Sequence, residues 1–133
     1  MYNVAKGVRI ILTIGNKSKS GFDVVLQTPK FKCALITRSE FDYGFGPVGQ
    51  MKRHNDTDEV FVLLRGRAVV LIYEDGQFRE YVLEPEKVYN VKASTWHNMG
   101  ISEDAMVFVA ENADIDPKNT DTLVLEAPYL LEE

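Results

Sequence analysis

Both histidines of this 133-residue chain stand among polar residues whose chemistry they could share. His54 closes the stretch VGQMKRH, and Glu59 follows it across the turn-forming residues NDTD; His97 lies far downstream, in STWHN. Imidazole nitrogens and a carboxylate are the donor types that hold Zn²⁺, Ni²⁺, Mn²⁺ or Fe²⁺. The same groups also exchange protons near neutral pH. Lys52, two residues before His54, adds a cation that could face an oxyanion.

These side chains meet only if strands aim them at one another. Alternation along VGQMKRH puts Gln50, Lys52 and His54 on one strand face, and EVFVLLR puts Glu59, Phe61 and Leu63 on one face of the next. A turn at NDTD, rich in the residues that favour turns, would bring Lys52, His54 and Glu59 to one interior. The rest of the chain also reads as short β runs: VRIILTI, FDVVLQT, FKCALITR, RAVVLIYE, QFREYVLE, KVYNVKA, DAMVFVAEN and DTLVLEA, with His97 in STWHN placed after a turn-rich segment and just before DAMVFVAEN. About ten strands, spaced every ~8–12 residues, predict an all-β sandwich or barrel. Asp75-Gly76 predicts a tight hairpin between RAVVLIYE and QFREYVLE, because a two-residue turn needs positive φ. Residues 113–122 hold the one helical turn expected, with Asp116 as its cap and Pro117 at its first position.

Length and composition set bounds. The size suits one domain, 1–133, with a core of its own. The single Cys33 excludes an internal disulfide framework and a multi-cysteine zinc module, and an inert buried thiol is expected there. No apolar run is long enough to span a bilayer, and no signal-peptide cleavage signature follows the apolar patch Ile10–Ile14, so a soluble cytoplasmic protein is expected, with no membrane partner. The net charge of −5 argues against a nucleic-acid partner. Residues 1–54 carry nine Lys/Arg against three Asp/Glu, net +6, and residues 55–133 carry six against seventeen, net −11. The basic residues are scattered among apolar ones, which points to two halves interleaved in one fold rather than to a basic arm.

The spacing around the first histidine resembles the cupin family. Its first motif is Gly, five residues, His-x-His, four residues, Glu, six residues, Gly. In this chain Gly46, PVGQM, Lys52-Arg53-His54, NDTD, Glu59, VFVLLR and Gly66 fill those places, with Lys52 where the first histidine would stand. The second motif, over about 86–101, keeps His97 but has Lys92-Ala93-Ser94 in place of Pro-x-Gly, and Ile101 in place of its asparagine. The resemblance implies an antiparallel double-stranded β-helix, the jelly-roll barrel, in a small domain usually found as a homodimer. Pairing of copies would also cover exposed strand edges.

The resemblance further implies a divalent-metal site made by His54, Glu59 and His97, with Lys52 in the fourth ligand position. An ammonium has no lone pair to offer a metal. Two readings stay open. In one, the three remaining donors hold a metal and Lys52 contacts the substrate. In the other, Lys52 is buried as the partner of Glu59 in a metal-free cavity, and Lys52, His54 and His97 carry out proton transfer on a sugar-like substrate, as cupin-type sugar-nucleotide epimerases and isomerases do, or the cavity simply binds a small molecule. Trp96, Met51, Met99, Met106, Phe41, Tyr43, Tyr73 and Tyr89 are cavity-lining or core candidates, and only one of Glu111 and Asn112 can face inward.

Overall fold

The computed structural model describes residues 11–133. Among the described residues, ten strands form two five-stranded antiparallel sheets that face each other. β1 (Gly21–Gln27), β2 (Phe31–Thr37), β9 (Met106–Asn112), β4 (Glu59–Arg65) and β7 (Tyr89–Val91) make the first sheet, in that order. β10 (Thr120–Leu131), β3 (Gly46–His54), β8 (Trp96–Ile101), β5 (Ala68–Glu74) and β6 (Gln77–Val82) make the second. The expected all-β jelly roll is the observed architecture. No helix among the described residues is long and apolar enough to cross a membrane.

Alternation builds the core. On β4, Glu59, Phe61 and Leu63 are buried while Val60 and Val62 are only half covered. On β9, Val107, Val109 and Glu111 take the inward phase. Inward residues of both sheets, among them Ile36, Val70, Ile101, Val107 and Val109, interdigitate in one apolar cluster. Full burial of each such aliphatic side chain is worth about 1.5–3 kcal/mol relative to exposure. A second, smaller cluster centred on Met51, Leu71 and Leu131 lies apart from it.

Local signals hold where geometry demanded them. Asp75 (φ 53°) and Gly76 (φ 75°) form the turn of the β5–β6 hairpin. Gly66 has φ +75°, and a Cβ there would stand 2.5 Å from the Ala105 Cα, so the last glycine of the 46–66 stretch is required both by backbone conformation and by close approach. Asp116 caps a 3₁₀ turn, Pro117–Asn119, by accepting hydrogen bonds from the Lys118 and Asn119 amides.

Two expectations are corrected. Residues 11–14 of the first run form no strand; the remainder of that run, 8–10, lies outside the described residues. No strand was expected between the turn-rich segment before His97 and DAMVFVAEN, yet Trp96–Ile101 form β8, which sits between β3 and β5 with His97, Met99 and Ile101 buried. Asn98 and Gly100 resemble turn residues in isolation; pairing with Leu71 and Val69 of β5 keeps them extended.

Candidate functional site

Each sheet contributes to one cluster at the end of the barrel. His54 ends β3 and His97 lies near the start of β8, both in the second sheet; Glu59 begins β4 in the first sheet. The four residues 55–58 carry the chain from one sheet to the other, which is why His54 and Glu59 meet across the interior. Asp58 secures the second half of the site. Its carboxylate accepts hydrogen bonds from Asn90 Nδ2 (3.1 Å) and the Ala93 amide (2.8 Å), and these bonds hold its pKa below the usual carboxylate range against a smaller effect of burial. The Ser94 amide donates to the His54 carbonyl at 2.7 Å, so the segment leading into β8 is tied directly to the end of β3.

The three side chains converge. His97 Nε2 lies 2.9 Å from Glu59 Oε1 and His54 Nε2 lies 3.5 Å from the same oxygen. One ligand atom from each residue lies within 4.8 Å of both others. Each imidazole is held from behind. His97 Nδ1 is 2.9 Å from the Thr95 carbonyl, which can only accept, so Nδ1 carries the hydrogen. His54 Nδ1 pairs with the Thr120 hydroxyl at 3.0 Å, and Thr120 is the direct strand partner of His54. Both rings therefore turn Nε2 toward the carboxylate.

Burial sets the electrostatics. For Glu59, desolvation pushes the pKa up, but hydrogen bonds from His54 and His97 and the charge of His97 outweigh it and hold the carboxyl well below its usual range. His97 moves the other way: burial disfavours its cation, and the bond and charge of Glu59 reverse that and raise its pKa. The half-buried Tyr43 phenol is raised, first by desolvation and then by the nearby charge of Glu59.

The cluster lines a cavity of about 490 Å³ whose walls include Gln50, Lys52, Phe41, Tyr43, Asn98 and Met99. Gln50, Lys52 and His54 share this face, as their alternation requires. Lys52, however, is exposed at the rim, and no carboxylate of the described residues comes within 4.0 Å of its ammonium. The buried Lys52–Glu59 ion pair of the metal-free reading is not formed: Glu59 is taken by the two histidines, and the lysine stem carries its charge to solvent. Trp96 and Met51 do not line the cavity. Trp96 lies under the Arg53 guanidinium, 4.3 Å from ring to cation, and Met51 is fully buried in the second cluster. Cys33 is half-buried.

Glu111 is the inward residue of the Glu111–Asn112 pair. It is buried, lines the same cavity, and is the direct strand partner of Glu59 across β4 and β9. Lys32 Nζ lies 3.6 Å from its Oε1, while its buried Oε2 has no hydrogen-bond partner. Desolvation first, then the hydrogen bond and charge of Glu59, push the Glu111 pKa up to about 8 despite Lys32. Phase with Val107 and Val109 was the one sequence signal pointing to it. Phe108 and Ala110 offered the opposite phase an equally apolar face.

The two facing antiparallel five-stranded sheets form a jelly-roll barrel of the fold seen in cupin structures. Solved structures agree. The chain is similar to a cupin-2 domain protein of Shewanella frigidimarina, at 16% identity over 73% of this chain and 84% of that one, TM-score 0.54. It is also similar to QdtA, a sugar 3,4-ketoisomerase of Thermoanaerobacterium thermosaccharolyticum solved with TDP, at 16% identity over 67% of this chain and 64% of that one, TM-score 0.56. A variant of Streptomyces PAC13 solved with uridine matches at 10% identity over 92% of this chain and 99% of that one, TM-score 0.63. No protein-family model matches the sequence, and no curated protein does. At these identities the likeness is one of fold, and one fold carries many reactions.

Proposed function

We propose that this protein binds a divalent metal ion through His54, Glu59 and His97 and uses it to engage a small polar or anionic molecule in the cavity. The observation that carries this reading is the convergence of two Nε2 atoms on one carboxylate oxygen, each imidazole held from behind at Nδ1. Hydrogen bonds of that kind, made at the far nitrogen, orient histidine ligands in metal sites generally. Three donors leave positions open, so the residues present suit Zn²⁺, Ni²⁺, Mn²⁺ or Fe²⁺. A bound ion would polarise a substrate oxygen and acidify a bound water.

The chain's own groups do the rest. Lys52, free at the rim, meets an anionic group of the substrate; Gln50 and Asn98 offer amides to its polar atoms; Tyr43 and Phe41 provide apolar walls. The cavity is of the size that takes small organic ligands. Similar barrels solved with TDP and with uridine make a sugar-nucleotide-like ligand a reasonable first screen. A homodimer is part of the proposal, supported by the half-exposed apolar residues Tyr81 and Val82 on the edge strand β6, and is checked by light scattering.

A second reading rests on the same 2.9 Å contact. With Nδ1 donating to the Thr95 carbonyl, His97 can donate to Glu59 only as the imidazolium, and such a pair can deliver or withdraw a proton without metal. That would suit an isomerase or epimerase acting on a sugar. Elemental analysis of untagged protein purified without added metal separates the two. Near-stoichiometric metal that is lost in His97→Ala supports the metal site. Metal-free protein that also fails to bind added Zn²⁺, Ni²⁺, Mn²⁺ or Fe²⁺ refutes it and leaves the proton-transfer pair.

A further inference from the structure

The first sheet is apolar on both faces, and the barrel interior covers only one of them. VFVLL on β4 and MVFVA on β9 are near-continuous apolar runs, the pattern of strands buried on both sides. Their inward residues fill the core. The outward phase sets Val60 beside Ala110 and Val62 beside Phe108, with Leu35 of β2 on the far side of Phe108. These five side chains are half-covered, while Leu64 and Phe31, also outward, are 53% and 47% exposed. Among the outward positions of β2, β4 and β9 only Arg65, the last residue of β4, is charged, and its Nε donates to the Asp104 carbonyl at 3.1 Å. The second sheet differs. Met51 and Leu71, on its outer face, are fully buried in the chain's own second cluster.

We propose that the outer face of the first sheet is the interface of a homodimer, packed sheet on sheet against the same face of a second copy. This rests on the homodimer reading above and names its surface. An isologous contact sets a patch against itself, so a charged patch would meet its own sign. In a chain of net charge −5, a nearly uncharged face is the one that avoids this. The area suffices as well. β1, β2, β9 and β4 have seven residues each and β7 has three. At about 4.8 Å between strands and about 3.3 Å per residue, the flat face is about 490 Å² per copy and about 1,000 Å² in a pair. A biological interface needs about that much. Ile11, Leu12 and Ile14 are exposed just before Gly15, which packs against the Val25 carbonyl, and they add apolar surface beside the β1 edge.

Light scattering after size exclusion, at micromolar concentration, tests it. The wild type is expected as a dimer. Val62→Lys places a cation in the middle of β4 on each opposed face, and Leu64→Lys places one at a side chain already 53% exposed. Both are expected at half the wild-type mass with cooperative unfolding retained; Leu64→Lys keeps the test open should Val62→Lys not fold. Tyr81→Lys/Val82→Lys, on the edge strand β6, is expected to stay dimeric. Cys33, the single cysteine, is outward on β2 beside Ala110 and gives a second readout. Its reaction with a thiol reagent should be slower in the wild-type dimer than in the Leu64→Lys monomer. A dimer that survives both β4 substitutions overturns the inference and leaves the homodimer standing. A Leu64→Lys monomer whose Cys33 reacts no faster than that of the dimer does the same. Loss of the dimer in Tyr81→Lys/Val82→Lys alone also overturns it, by moving the contact to β6. A monomeric wild type removes the homodimer reading and this inference with it.

Discussion

Replacing Lys52 by Met separates a rim cation from a buried ion-pair member. Lys52 is exposed on β3, directly paired with His97 on β8 and two residues before His54. No carboxylate of the described residues stands within 4.0 Å of it, so Lys52→Met strands no buried charge. The metal-free protein is expected to keep its stability to within about 0.5 kcal/mol, the range of surface substitutions. Metal binding should strengthen. Diagonal neighbours on a sheet face are about 7 Å apart. At that separation a monovalent and a divalent cation repel by about 1.2 kcal/mol in water. Removing that repulsion tightens binding about eightfold at low salt. The Debye length of about 8 Å at 0.15 M ionic strength cuts the gain to about twofold. Calorimetric titration with Zn²⁺ at two ionic strengths, beside urea unfolding of the metal-free protein, measures both effects. Weaker metal binding in the variant would refute the reasoning. So would a stability loss of about 3 kcal/mol or more, the signature of a broken buried pair.

Lys52→His supplies an imidazole where the chain has an ammonium. It should tighten Zn²⁺ binding beyond Lys52→Met in chelator competition; equality of the two would mean that position 52 does not reach the ion. In metal-free protein, stability should peak at mildly acidic pH. The lowered pKa of Glu59 gives stability that is present above its ordinary value of 4.5 and lost on acidification. The raised pKa of His97 gives stability that is full below its ordinary 6.5 and lost as pH rises through the folded value. Glu111, raised to about 8, contributes fully below 4.5 and loses its contribution as pH climbs toward about 8. Denaturant unfolding at about pH 5.5 and about pH 8.5 should show the alkaline decline, and Glu111→Gln should shrink it; an equal decline in the variant assigns it elsewhere. Gly66→Ala should destabilise the protein by more than about 1 kcal/mol, because the new methyl enters a positive-φ position against the Ala105 backbone. A thermal midpoint unchanged from wild type would show that the β4–β5 turn relaxes freely.

Much of the barrel could be read in the chain because its strands alternate and its turns carry their own chemistry. EVFVLLR announces β4, with Glu59, Phe61 and Leu63 inward, and Asp75-Gly76 can close a hairpin by itself. Where short-range signals conflicted, the reading failed. WHNMGI mixes large, polar and glycine residues, and it is a strand because β3 and β5 flank it. IILTI is apolar enough for a strand, yet Ile11, Leu12 and Ile14 are exposed and form none.

The spacing from Gly46 to Gly66, and the rarity of histidine, were enough to single out His54, Glu59 and His97 as residues of one interior. Residue types also settled that Lys52 could not serve as a ligand while charged. The fate of that lysine was a tertiary matter. Whether it pairs with Glu59 depends on what else reaches the carboxylate, and only the packing of β8 against β3 brings His97 there first. Glu111 was decided in the same way. Its facing is one of two equivalent phases along β9 until β4 and β2 dock on either side and place it between Glu59 and Lys32. Alternation is local and survives in the sequence. Which side chains share a buried partner depends on sheet pairing between distant segments, and the folded chain alone determines it.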